Sequence, residues 1–181
     1  LVSGENTLTV EARDRYGKVI GNGTQILRVT NSGENPTPEG NVIINEISYS
    51  PADPGAGYVE IYNRSTGFAF DLSGWRLSGV DFDFPAGTLI GPGQFWVVAK
   101  DQFAFGTKFA FRAPLLGEFN GNLDPEGETL TLLRPGATPE TPIVVDQVRY
   151  ESTAPWLPQP ATAGVSLNVI DASQDNSRVS N

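Results

Sequence analysis

Short runs of β-branched and aromatic residues recur along the chain, separated by clusters of Gly, Pro, Asn and Asp, the pattern of strands bounded by turns. No stretch of a dozen residues keeps apolar positions at i, i+3, i+4 and i+7, so helix is expected to be almost absent. The strands predicted are Thr7–Ala12, Thr24–Thr30, Val42–Ser48, Tyr58–Asn63, Trp75–Leu77, Asp81–Phe84, Phe95–Ala99, Thr129–Leu133, Val144–Tyr150 and Val165–Val169. Strands this short and this regularly punctuated predict an all-β chain folded as a two-sheet sandwich. In Tyr58-Val59-Glu60-Ile61-Tyr62 the alternation puts Val59 and Ile61 on one face, and in Trp75-Arg76-Leu77 it turns Arg76 away from its neighbours. The predicted core is Ile44, Val59, Ile61, Leu72, Trp75, Leu77, Phe84, Trp96, Val98, Leu130, Leu132, Val148 and Leu167. Asn22-Gly23, Gly91-Pro92-Gly93 and Arg134-Pro135-Gly136 carry turn chemistry, the first as a hairpin candidate.

One segment interrupts the pattern. Residues 31–40, NSGENPTPEG, hold no large apolar side chain and two prolines, the composition of an extended linker. Residues 1–30 then form a terminal hairpin, 41–172 the sandwich, and 173–181 a tail or the start of the next linker. Two strands alone are marginal in water. The hairpin's apolar set, Leu8, Val10, Ala12, Ile26 and either Leu27 or Val29, therefore calls for a covering surface. With Leu1 first and no Met anywhere, the chain is expected to be an internal part of a longer one.

Composition narrows the chemistry sharply. There is no Cys and no His among 181 residues, which removes thiol nucleophiles, disulfides, histidine bases and zinc sites built from either residue. The formal charge of −9 repels phosphate backbones, so nucleic acid is not an expected partner. No apolar run approaches the ~18 residues of a membrane span, so no membrane insertion is expected.

From Val42 onward an ordered set of motifs is present: Ile44-Asn45-Glu46-Ile47, Tyr58-Val59-Glu60-Ile61-Tyr62-Asn63 and Asp71-Leu72-Ser73-Gly74-Trp75-Arg76-Leu77, followed by Phe82 and Phe84. Gly91-Pro92-Gly93-Gln94-Phe95-Trp96-Val97-Val98, Glu128-Thr129-Leu130-Thr131-Leu132, Val145-Asp146-Gln147-Val148-Arg149-Tyr150 and Gly164-Val165-Ser166-Leu167 complete it. This set resembles the lamin tail domain, found in nuclear lamins and in many secreted or surface proteins of bacteria. The resemblance implies an immunoglobulin-like sandwich. It is nearer the bacterial extracellular type, because the chain is acidic and lacks coiled-coil heptads. Residues 4–14 with the strand to Thr30 are similar to the last hairpin of a bacterial Ig-like repeat, that is, of a second Ig-like unit.

The polar residues of the signature, Glu46, Glu60, Asn63, Asp71, Asp146 and Ser166, with Trp75 beside them, are read as structural. Paired carboxylates are able to act as acid and base, but Asp71 is placed for an Asx turn and acidic or amide side chains at strand ends commonly satisfy loop N–H groups. Asp146 falls on the same strand face as Val144, Val148 and Tyr150, where it needs hydrogen-bond partners or a raised pKa. Calcium is the metal this composition readily permits; the places to consider are Asp124, Glu126 and Glu128 in a Gly/Pro turn, and Asp81 with Asp83. Trp156, on a loop with three prolines, is the candidate aromatic for binding, with capping of the sandwich as its other role. Phe103–Phe111 is expected to be a loop or short strand over the core. The function expected is a non-catalytic structural, adhesion or attachment module of a large secreted or surface-anchored bacterial protein. It acts through protein partners or neighbouring domains, without a cofactor, outside the cell or at its surface. The alternatives are a polysaccharide-targeting accessory domain of an extracellular hydrolase and a calcium-stabilised adhesion repeat.

Overall fold

The computed structural model describes residues 3–33, 36–53, 55–110, 114–138, 140–156 and 164–181. The chain forms two compact units, Leu1–Thr37 and Pro38–Asn181.

The first unit is a ribbon of two antiparallel strands, β1 (Gly4–Arg13) and β2 (Val19–Asn31), longer than the sequence pattern predicts. Its reversal is an Asx turn: the Asp14 carboxylate accepts the N–H groups of Tyr16 and Lys18 at 2.8 and 3.0 Å. Asn22-Gly23 is not the hairpin turn. It lies within β2 opposite the register shift between Glu11 and Arg13, with Asn22 at φ 61°, and so absorbs a bulge. The pairing Leu8↔Leu27 and Asn6↔Val29 places both Leu27 and Val29 on the face of Leu8 and Val10, whereas Ile26 pairs with Thr9 on the other.

The second unit is built from β3 (Val42–Ser48), β4 (Tyr58–Asn63), β5 (Phe70–Asp71), β6 (Arg76–Ser78), β7 (Phe82–Asp83), β8 (Leu89–Ile90), β9 (Phe95–Ala99), α1 (Gln102–Phe109), β10 (Leu115–Glu118), β11 (Thr129–Arg134), β12 (Ile143–Arg149) and β13 (Leu167–Asn168). One sheet has the order β10-β9-β4-β3-β13, the other β12-β11-β6-β7, and β5 pairs with β8. Ile44, Val59, Ile61 and Val98 from the first sheet are buried with Leu77, Leu130, Leu132 and Val148 from the second, together with Leu72, Trp75 and Phe84. This is the expected core. Trp96 and Leu167 are only partly buried at its margin; the Trp96 indole is held there by donating to the Leu89 carbonyl at 2.8 Å.

Three further differences have local causes. The Phe-rich run is a helix, α1, because the Asp101 carboxylate caps it by accepting from the N–H groups of Phe103 and Ala104. It lays Phe105 and Phe109 edge-on against Tyr58, covering the outer face of the larger sheet and linking β9 to β10 in parallel. In β12 a register shift between Leu132 and Leu133 falls opposite Val145. Val145 therefore turns inward and Val144, expected inside, is exposed. In residues 173–181, read as a tail or the start of the next linker, Asn176 is buried and donates to the Ile44 carbonyl at 2.9 Å.

Candidate functional site

The signature side chains do not converge on one cavity; they hold joints of the sandwich. Glu46 and Glu60 face each other across β3 and β4. Glu46 accepts the Tyr58 hydroxyl at 2.6 Å and the hydroxyl of Ser166, so one carboxylate ties β4 and the approach to β13 onto β3. Glu60 accepts from the Asn45 amide at 2.8 Å. Burial pushes the Glu60 carboxyl up, and the neighbouring Glu46 adds to this against the Asn45 hydrogen bond. Tyr58 is raised as well, first by burial and then by Glu46.

Asn63 is wholly buried at the end of β4. Its amide nitrogen lies 2.7 Å from the Phe68 carbonyl, 2.9 Å from that of Gly91 and 3.1 Å from that of Ile90, and its oxygen accepts the Ser65 N–H at 3.0 Å. One side chain thus satisfies the crossing between the sheets. Asp71 forms the Asx turn, accepting the Ser73 N–H at 2.9 Å and the Ser73 hydroxyl; these bonds lower its pKa. Trp75 is buried just beyond it.

Asp146 is the joint between three segments. Its Oδ2 accepts the Ile44 N–H of β3 at 2.7 Å and the Asn176 amide of the C-terminal segment at 2.7 Å. Burial raises its pKa, and those two donors oppose the rise. The sequence marks Asp146 as needing partners but does not reveal Asn176, which lies thirty positions away in an Asp-Asn-Ser triplet that reads as an ordinary turn.

Of the acids considered for calcium, Asp124, Glu128, Asp81 and Asp83 accept hydrogen bonds or ion pairs from within the chain. Glu128 accepts the Asp124 N–H at 2.8 Å and lies 3.0 Å from the Tyr150 hydroxyl, while Asp124 accepts the Glu126 N–H at 2.8 Å. The turn is closed by Gly127 at φ 113°, where a Cβ would stand 2.5 Å from the Tyr150 carbonyl. Asp81 and Asp83 share the Arg76 guanidinium at 2.7 and 3.4 Å. Among the described residues no three acids are grouped so as to hold a metal ion. Trp156 is half-buried against the core and lines a cleft of about 260 Å³ with Ile44, Ile47, Val148, Leu167 and Val179. Residues 157–163 of its proline-rich loop lie outside the described residues.

Fold and joints together define an immunoglobulin-like, all-β sandwich whose chemistry-bearing side chains hold the strands in place. More specifically, the chain belongs to the lamin tail domain family, whose model matches residues 35–152, a family of immunoglobulin-like, non-enzymatic domains. Comparison with curated proteins and with solved structures gives no match. No helix among the described residues is long and apolar enough to cross a membrane.

Proposed function

We infer that the sandwich is a non-catalytic module working by protein contact, as an adhesion, spacing or attachment unit of a large secreted or surface-anchored bacterial protein. The observation that carries this reading is the margin of the smaller sheet. Strand β12 pairs with β11 on one side, and no strand pairs with its other edge among the described residues. Ile143 and Val144 are 37 % and 51 % exposed beside that edge. A strand edge with apolar side chains is a template for an added strand from a partner. The carboxylates that an enzyme would direct at a substrate are here hydrogen-bonded to the chain's own backbone and hydroxyls.

The test is a binding assay with the immobilised chain and separated protein and polysaccharide fractions of a bacterial cell surface. Retention from the protein fraction that falls when Val144→Lys places a charge at the edge is expected. Saturable retention of polysaccharide that disappears in Trp156→Ala would overturn the reading in favour of glycan targeting.

A further inference from the structure

Helix α1 covers the outer face of the larger sheet at Tyr58, but two and four positions further along β4 Glu60 and Tyr62 are only half-buried. Phe95, directly opposite Tyr62 on β9, stacks on it with ring centroids 4.2 Å apart and planes 11° from parallel. One face of the Phe95 ring is thereby taken, yet Phe95 remains 36 % exposed. Pro114 lies beside β9 on the side away from β4, its carbonyl accepting the Val97 N–H at 2.9 Å. A shallow cleft of about 350 Å³ opens here, walled by Glu60, Gln94, Phe95, Trp96 and Pro114. Glu60 is the charged member of these five. Its Oε1 accepts from Asn45 at 2.8 Å, its Oε2 makes no hydrogen bond with a described residue, and Glu46 stands opposite it as a second carboxylate. Neither carboxylate is in an ion pair with a described residue.

We propose that this cleft receives an arginine side chain of a protein partner, the guanidinium lying on the free face of Phe95 beside Pro114 and turning its N–H edge to the Glu60 carboxylate. A half-buried carboxylate without a counter-charge is stabilised by a cation that hydrogen-bonds to it. The face of an aromatic ring attracts the same cation through its quadrupole. Arginine meets both demands with one group, because the guanidinium is planar, weakly hydrated and forked, whereas the ammonium of lysine is a compact, strongly hydrated point charge that does not stack. A sugar would also stack on Phe95, but it would leave Glu60 without a counter-charge. The net charge of −9 favours approach of a basic partner over an acidic one. The proposal rests on the protein-contact reading for the origin of the arginine alone, and its site lies on the larger sheet whereas β12 belongs to the smaller.

Titration of the whole chain with the peptide acetyl-Gly-Arg-Gly-amide, followed by proton–nitrogen correlation spectra, tests the site. Saturable shifts at Glu60, Phe95 and the Trp96 indole are expected, with a Kd of ~1–10 mM, the strength one stacked and charge-bonded side chain supplies. The peptide with citrulline, which has the shape of arginine without its charge, should bind at least about tenfold more weakly. Glu60→Gln, which keeps an acceptor for Asn45, and Phe95→Leu, which keeps bulk without a π face, should each weaken arginine binding at least about fivefold in chains whose spectra stay dispersed. Asp83→Asn removes the same charge from the smaller sheet and should leave binding unchanged. No shift at the cleft, equal binding of the citrulline peptide, or equal effects of Glu60→Gln and Asp83→Asn would each overturn the proposal. Shifts that arise only after Arg112→Gln would overturn it too, by making the chain's own arginine the occupant. Any of these failures leaves the reading of the β12 edge standing, since that is decided by Val144→Lys.

Discussion

Removing the Asp146 carboxylate tests whether the polar joints hold the sandwich. In Asp146→Ala two buried donors lose an acceptor: the Ile44 N–H loses the Asp146 carboxylate, and the Asn176 amide keeps its bond to the Ile44 carbonyl. Ile44 is 1 % and Asn176 9 % exposed, so water does not readily replace what is lost. An unsatisfied buried donor costs about 1–3 kcal/mol. Some of this is offset, because burial disfavours the ionised Asp146 to begin with, leaving a net loss of about 2–4 kcal/mol. Urea unfolding followed by tryptophan fluorescence measures it, since all three tryptophans, Trp75, Trp96 and Trp156, belong to the sandwich unit. Asp146→Asn retains one acceptor oxygen and should lose about half as much. The pH dependence has a definite sign. With the folded pKa raised, both states are protonated well below ~4. As pH rises from there to the folded value the unfolded state releases its proton first, and Asp146 withdraws stability until both states are ionised. The gap between the unsubstituted protein and Asp146→Ala should therefore narrow with rising pH across that window. A loss below ~1 kcal/mol for the alanine, or equal losses for alanine and asparagine, would refute the joint.

Three other outcomes follow from the same structure. Trp75→Ala should lower stability by about 3–5 kcal/mol in chemical denaturation, as for any large buried aromatic; a change below ~1 kcal/mol would remove it from the core. Asn63→Asp should be more damaging than Asn63→Ala in thermal melts, since a carboxylate there would meet the carbonyls of Phe68, Ile90 and Gly91 without a proton to offer them; the reverse order would mean that those contacts do not form. Saturating calcium should leave the melting temperature unchanged in both the native protein and Glu128→Gln, and a gain above ~1 kcal/mol in the native protein alone would establish a calcium site at residues 124–128.

Most of the longer strands from Val42 to Tyr150 are legible, and where a strand buries one face, as at Thr129–Leu132, apolar alternation reports geometry directly. Where local chemistry competes with alternation, reading becomes unreliable. The Phe-rich run hides a helix because its buried member, Phe105, is embedded among other phenylalanines, and the decisive signal is the Asp101 cap. In β12 a bulge exchanges the roles of Val144 and Val145, and nothing in the run of Ile143, Val144 and Val145 marks where the extra residue sits. The two-residue strands β5 and β8 depend on Asn63 bonding to backbone at Phe68, Ile90 and Gly91, contacts between distant segments that a linear pattern does not contain. The site residues divide the same way: Asp71 is readable as a turn from Asp-Leu-Ser alone, whereas Ser166 stands 120 positions from Glu46, and Ile44 and Asn176 stand 102 and 30 positions from Asp146.

Arg64 gives the sandwich a mechanical character. Its guanidinium donates to the carbonyls of both Gly40, just before β3, and Ala172, after β13, so the segments flanking these two strands are clasped together beside the antiparallel pair β3–β13. Tension applied between those points would peel rather than shear. The Arg64 clasp would part first, then the Val169 N–H from the Asn45 carbonyl, then Asn168 and Leu167 from Glu46 and Ile47, each bond carrying the load singly. A strand pair loaded this way yields at low force and lengthens by releasing its last strand while the remaining sheets stay closed.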